Sequence, residues 1–242
     1  ELASKELMKT VLSVVDENSF VETDKFICDN TDLGEATGEG VVSGFAHIFD
    51  IRVGLFATNS KVLKGSIGRA NARKIVKLID SSVSAGLPVI GILDTAGARF
   101  GEGIDAMEGY AAIFAALGDA YGAVPTVMAV KGADFGLSSY YCAVTDLCVA
   151  YSGAQIATSS PLILAGNTKA DPAKICTGAY LGENSDVVTN VVKSDKELKS
   201  VVSSFLNIAV SPVVESADDP NRTAKAAALK TVGDTLNEIF DK

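Results

Sequence analysis

A single histidine, His47, serves the whole chain, so any acid–base or nucleophilic scheme built on imidazole has only that one to use. The four cysteines (Cys28, Cys142, Cys148, Cys176) contain no CxxC pair, which removes zinc-ribbon spacing and a disulfide framework. No metal site is expected, and a reducing cytoplasm is the expected compartment. Positive charge is scarce: 21 Lys and Arg face 30 Asp and Glu, a net charge of −9. Such a balance offers no groove for nucleic acid and no attraction to an anionic membrane surface. No signal-like segment opens the chain. Its longest apolar stretches are broken by Asp119, Asp146 and glycines before bilayer length, so direct membrane insertion is not expected. Phosphate cradles are missing as well. There is no GxxxxGK[ST], and Gly38-Glu39-Gly40 precedes a β-rich run where a dinucleotide fingerprint would follow one.

What is present is a chain of 48% hydrophobic residues punctuated by 22 glycines, the composition of a compact α/β protein. Residues 1–30 read as a helical arm. Val41 to Phe49 and Arg52 to Thr58 read as strands around a turn at Asp50. Residues 66–84 read as a helix with Ser66 as N-cap, an apolar face of Ile75, Leu78, Ile79 and Val83, and a stop at Gly86 and Pro88. "LPVIGILDT" and "VPTVMAV" are continuously apolar, as strands buried on both faces are. "GYAAIFAALGDAYG" reads as a helix between them, another helix is expected from about Ser138, and "DLCVAYSGAQIATSS" reads as further strand. The span from Lys193 to Val210 is helical in pattern, "SPVVESADDPNRT" a linker, and "AKAAALKTVGDTLNEIFDK" a final helix. Alternating strands and helices with no internal repeat give one α/β layered domain over 1–242: the arm, a core over 31–215, and a linker with C-terminal helix over 216–242.

Two loops share one placement, each after a buried strand and before a helix: "DTAGARFGEG" (94–103) and "KGADFGLSSYYC" (131–142). Glycines there let backbone N–H groups turn toward a ligand and stabilise an oxyanion without a titratable side chain. They also make ordinary tight turns, and at this level both readings stand. A serine nucleophile at Ser138 or Ser139 lacks a GxSxG elbow and would need the distant His47 as its base, so it is set aside. On the 66–84 helix Arg69, Arg73 and Lys77 recur every fourth residue with Lys74 beside them, and Lys61 and Lys64 precede it. Such a ridge suits the phosphates of an anionic cofactor, and equally a solvated face.

Taken in order, "VVDENSFVE", "GEGVVSGFAHIFDIRVGLFATN", "GSIGRANARKIVKLID", "GLPVIGILDTAGARFGEG", "GYAAIF" and "YGAVPTVMAVKGADFGLSSYYCAVTDL" resemble the amino-terminal, CoA-binding half of the biotin-dependent acyl-CoA carboxyltransferases, over roughly residues 8–223. The resemblance implies a crotonase-like (ClpP/crotonase) fold of repeated ββα units. It implies carboxyl transfer between carboxybiotin and the α-carbon of an acyl-CoA, with biotin on a separate carrier protein and no metal. It also implies a homologous partner subunit supplying the carboxy-terminal half, and hence a hetero-oligomer. The amides of Gly136 and Leu137 would then form the oxyanion hole, Leu137 standing where the family has glycine, with Asp134 and Phe135 narrowing the loop where small residues are common. Gly65, Ser66, Gly97, Ala98, Arg99 and Gly132 would shape the substrate pocket, Arg99 bridging to a carboxylate such as Glu102. Lys61, Lys64, Arg69, Arg73, Lys74 and Lys77 would meet the CoA phosphates. The ureido nitrogen of biotin takes the α-proton in this chemistry, so one histidine suffices. Rival readings are a malonate decarboxylase subunit acting on a carrier-protein thioester, a hydratase or isomerase using Glu102 and Asp105, and a scaffold that lost the chemistry. The acyl group and the direction of transfer are not specified.

Overall fold

In the computed structural model the described residues are 5–28, 37–167 and 169–210. They run α1 (Lys5–Val14), β1 (Val21–Thr23), β2 (Val41–Ile48), β3 (Ile51–Thr58), α2 (Arg69–Ser84), β4 (Val89–Thr95), α3 (Ile104–Ala120), β5 (Thr126–Phe135), β6 (Leu147–Tyr151), β7 (Gln155–Ala157), α4 (Pro161–Asn167), α5 (Pro172–Ile175), α6 (Gly178–Asn184), β8 (Asn190–Val192) and α7 (Asp195–Val210). The sheet order is β1-β2-β3-β4-β5-β6-β8, with β7 on the outer end of β5. The first three strands are antiparallel neighbours and the rest pair in parallel.

Strand alternation builds two cores, one on each face of the sheet. On β3, Val53, Leu55 and Ala57 point to the core shared with Val11 of α1 and Val202 of α7, and Phe56 points the other way. On β5, Val127 and Ala129 join the α1/α7 side, whereas Met128 and Val130 join Ile75, Ile79 and Ile113 of α2 and α3. Both faces covered is the reason these strands read as unbroken apolar runs. A ββα unit, β2-β3-α2, leads directly into the parallel strands whose carboxyl ends carry both glycine loops.

Several boundaries differ from the sequence reading. The arm is not helical to residue 30: α1 ends at Val14, Asn18 turns at φ 57°, and Val21–Thr23 pairs with Ser43–Phe45 of β2. The β2–β3 turn takes both Phe49 and Asp50, at φ 50° and 63°, the left-handed pair that a two-residue hairpin needs. Ser66 does not cap α2. The helix starts at Arg69 with Gly68 before it, whose N–H donates to Asn71 Oδ1 at 2.8 Å. Glu102 Oε2 accepts from Arg69 N at 2.6 Å, so a carboxylate from the next loop supplies the cap. The stretch after Gly136 is a 3₁₀ helix, Gly136–Ala143. Ser138 and Ser139 favour it locally, their hydroxyls donating to the Phe135 and Gly136 carbonyls at 3.1 and 2.7 Å. The run 147–157 splits into β6 and β7. Residues 5–209, where described, belong to one compact unit. The expected linker and helix over 216–242 lie outside the described residues. Among the described residues no helix is long and apolar enough to cross a membrane.

Candidate functional site

The two glycine loops leave adjacent parallel strands at the same edge of the sheet. Thr95 of β4 and Asp134 of β5 are register partners, and a Cβ at Gly97 would lie 2.8 Å from the Phe135 carbonyl oxygen. The second loop turns at Gly136, φ +76°, where a Cβ would meet nothing within 4 Å. Leu137 is not among the left-handed residues, so it holds an ordinary backbone conformation. As the first residues of a 3₁₀ run, Gly136 and Leu137 have N–H groups without an acceptor inside that run. In the first loop Gly97 N donates to Thr95 Oγ1 at 3.1 Å. Ile67 N donates to Gly97 O, and Arg99 N to Ile67 O. The Ala98 N–H takes part in none of these bonds. Ala98, Gly136 and Leu137 thus stand on two touching loops, where outward backbone N–H groups could serve a developing oxyanion.

A buried polar frame holds the first loop. Arg99 Nη1 lies 2.6 Å from Glu39 Oε2 and 2.9 Å from Glu102 Oε1, and its Nη2 donates to the Glu39 and Ser66 carbonyls at 3.3 Å. Both carboxylates are buried with it. Asn71 Nδ2 donates to the same two carbonyls, at 3.1 and 2.9 Å. Arg99 is thus the bridge to Glu102, and Ser66 enters the frame through its carbonyl. The hydratase reading loses its acids here, since Glu102 caps α2 and pairs with Arg99 while Asp105 pairs with Arg69 at 3.3 Å. The serine reading fails as well. Both hydroxyls are spent on the loop's own carbonyls, and His47 pairs with Arg52 at the opposite edge of the sheet from Gly136.

Asp94 ties the loops together. Its N–H donates to Thr58 Oγ1 at 2.7 Å and its Oδ1 accepts from Ala133 N at 3.0 Å. Gly132 makes room for that carboxylate, because a Cβ there would lie 2.3 Å from Oδ1. Gly65 packs on the Asp94 carbonyl, and Lys64 O accepts from Ala96 N at 2.9 Å. Gly65 and Gly132, expected in the substrate pocket, are both close-packing positions, and Gly132 also lines the cleft beside them. Beside them, at the ends of β3, β4 and β5, opens a cleft of about 270 Å³ lined by Asn59, Lys61, Asp94, Lys131 and Thr10 of α1.

The cationic stripe divides. Lys74 is fully buried and donates through Nζ to the Val41 carbonyl, so it cannot meet a phosphate, and burial pulls its pKa down. It lies on the sheet-facing side of α2, one residue past the exposed Arg73. Lys77 pairs with Asp24 at 2.7 Å and Arg69 with Asp105. Lys61 and Lys64 are exposed in the turn that touches the first loop. Asp134, expected to narrow the substrate loop, points into the core and is fully buried. Sequence reasoning missed Glu39, Asn71 and Asp94: Glu39 stands between two glycines and Asp94 closes an apolar run, while Asn71 carries no local signal.

The model of the carboxyl transferase domain matches residues 7–241. The chain belongs to the carboxyl transferase domain family. It is 31% identical over 221 residues to the methylmalonyl-CoA decarboxylase subunit alpha of Veillonella parvula, covering 86% of this chain and 43% of that one. It is 36% identical over 140 residues to the mitochondrial propionyl-CoA carboxylase beta chain of Homo sapiens, 55% of this chain and 26% of that one. The carboxyl transferase chain therefore spans less than half the length of these curated relatives. Among solved structures it is similar to transcarboxylase 12S, a hexamer, with TM-score 0.79 and 24% identity over 83% of this chain and 41% of that chain. It is also similar to a chain of a Pseudomonas malonate decarboxylase hetero-tetramer, with TM-score 0.74 and 16% identity over 93% and 90%. These likenesses establish the crotonase-like α/β fold, and the relatives act in multisubunit assemblies.

Proposed function

We propose that this chain holds the acyl thioester in carboxyl transfer between an acyl-CoA and carboxybiotin borne on a separate carrier protein. What supports the reading is the pairing of the two glycine loops, which brings Ala98, Gly136 and Leu137 together at one edge of the sheet. Withdrawal of the carboxyl group or of an α-proton turns the thioester carbonyl into an enolate, whose oxygen gathers charge as the barrier is crossed. Donors fixed on two packed loops stabilise that charge without having to reorganise. Among the described residues, Arg99 and Glu102 of the first loop are paired and Ser138 and Ser139 bond the second loop's own carbonyls, in keeping with biotin's ureido nitrogen taking the proton. Lys61 and Lys64, beside the first loop, are the cations placed for the CoA phosphates.

Exposed apolar side chains lie on or next to both loops: Phe100 (96% exposed) and Ile104 (80%) at the first, Leu137 and Tyr140 at the second. Side chains of this kind flanking a site suit coverage by a partner, here the homologous subunit that would bring biotin. Calorimetric titration of the purified chain with acetyl-, propionyl-, methylmalonyl- and malonyl-CoA, against free CoA, tests the reading. Acyl-dependent binding supports it and begins to name the substrate. If none binds either alone or with the co-purified partner, the CoA reading is overturned in favour of a carrier-protein thioester or a scaffold.

A further inference from the structure

Directly beneath the second loop lies a group of polar side chains that the hole itself does not use. Asp134 is fully buried between its register partners Thr95 of β4 and Ile156 of β7. Cys142 Sγ donates to its Oδ2 at 3.7 Å, and its Oδ1 has no hydrogen-bond partner. The hydroxyls of Tyr110, on α3, and Tyr141, on the 3₁₀ helix, are likewise buried and unpaired. We propose that Asp134 is a positioning residue: carried neutral, it keeps Gly136 and Leu137 in their donating conformation, and its ionisation shifts them. The functional meaning of that shift rests on the oxyanion reading above.

The geometry gives the reason. At Gly136 the outer side of the loop has open space, so the loop is placed from within, by Ser138 and Ser139 on the two preceding carbonyls and by Cys142 on Asp134. When the carboxyl O–H breaks and its proton leaves to water, the new anion needs donors. Its neighbours are the hydroxyls of Tyr110 and Tyr141, the thiol of Cys142 with Cys148 behind it, and the Ser138 hydroxyl; no cation acts on it among the described residues. The Ser138 hydroxyl already bears on this carboxyl, and turning it fully to the anion releases the Phe135 carbonyl, which abuts Gly97 of the other loop. Burial pushes the Asp134 carboxyl up to about 7, with Ser138 and Cys142 pulling the other way. Tyr110 and Tyr141 are raised by burial, and Cys142 by Cys148 and burial, so these three keep their own protons in that range.

The test is an NMR titration of the purified chain from about pH 5.5 to about pH 8.5, following aspartate side-chain carboxyl carbons and backbone amides. The expected result is that Asp134, the Gly136 amide and the Leu137 amide move together with a midpoint of about 7. In Asp134→Asn the two amides are flat, and acyl-CoA affinity no longer falls with rising pH as it does in the wild type. An Asp134 carboxyl that titrates in the ordinary aspartate range overturns the proposal, as does one that titrates while both amides stay still. The wild-type titration decides even if Asp134→Asn does not fold. It needs no ligand, so absence of acyl-CoA binding at every pH refutes the thioester reading separately.

Discussion

Exchanging the two residues at the turn of the second loop separates backbone strain from donor loss. In Gly136→Ala the new methyl enters open space, so no clash contributes and the cost is that of holding an L-residue at φ +76°. That strain is about 1–2 kcal/mol, visible as a lower urea midpoint with unchanged slope in the purified chain. If residue 136 relaxes to a negative φ instead, the peptide plane between 136 and 137 rotates and the Leu137 N–H swings off its line. Losing one donor of such a hole costs roughly 3 kcal/mol, or about 10²-fold in carboxyl transfer by the assembled enzyme. Leu137→Gly asks the converse question. Leu137 already has an ordinary backbone, so glycine relieves nothing and adds about 0.5–1 kcal/mol of chain entropy to the unfolded state. Its transfer rate is expected within about threefold of wild type, a window under 1 kcal/mol. A rise of an order of magnitude in Leu137→Gly, or wild-type transfer together with an unshifted urea midpoint in Gly136→Ala, would refute the assignment of the turn.

Arg99→Met leaves Glu39 and Glu102 buried together without their cation, and should destabilise the chain by about 3–5 kcal/mol in urea unfolding. Adding Glu39→Gln should recover part of that loss, and no recovery would mean the pair is not coupled. Lys74 has its pKa lowered by burial, so between that value and 10.5 the unfolded chain binds more protons than the folded one. Stability should therefore rise with pH in that window, and Lys74→Met should flatten the rise in melting temperature against pH. Lys61→Glu with Lys64→Glu should weaken acyl-CoA binding about tenfold, more at low salt. Lys77→Glu, at a position already paired with Asp24, should change calorimetric affinity by less than about threefold.

The large features were legible because burial writes them into composition. Strands β4 and β5 lie between two helical layers, and nothing but apolar side chains can fill both faces, so "VIGIL" and "TVMAV" stand out unaided. The glycine loops were legible for the same reason: each interrupts such a run at the point where chain must turn back over the sheet. What was not legible depends on partners distant in sequence. Lys74 and Arg73 are adjacent and equally charged. Only the position of Val41, 33 residues earlier, sends one into the core and leaves the other in water. The N-terminus of α2 shows the same limit, since Ser66 satisfies the local rule for a cap while Glu102 performs it from another loop. Glu39, Asn71 and the Arg99–Glu102 pair converge from three segments, and of their contacts only the i,i+3 bridge within the loop was visible in the sequence. The frame is nevertheless what holds the first loop rigid. Backbone donors cannot be tuned by changing their own side chains, so their aim is set by what lies behind them. Behind the first loop that is a closed set of ion pairs. Behind the second it is a buried acid, Asp134, and by the proposal above its protonation sets where that loop's donors point.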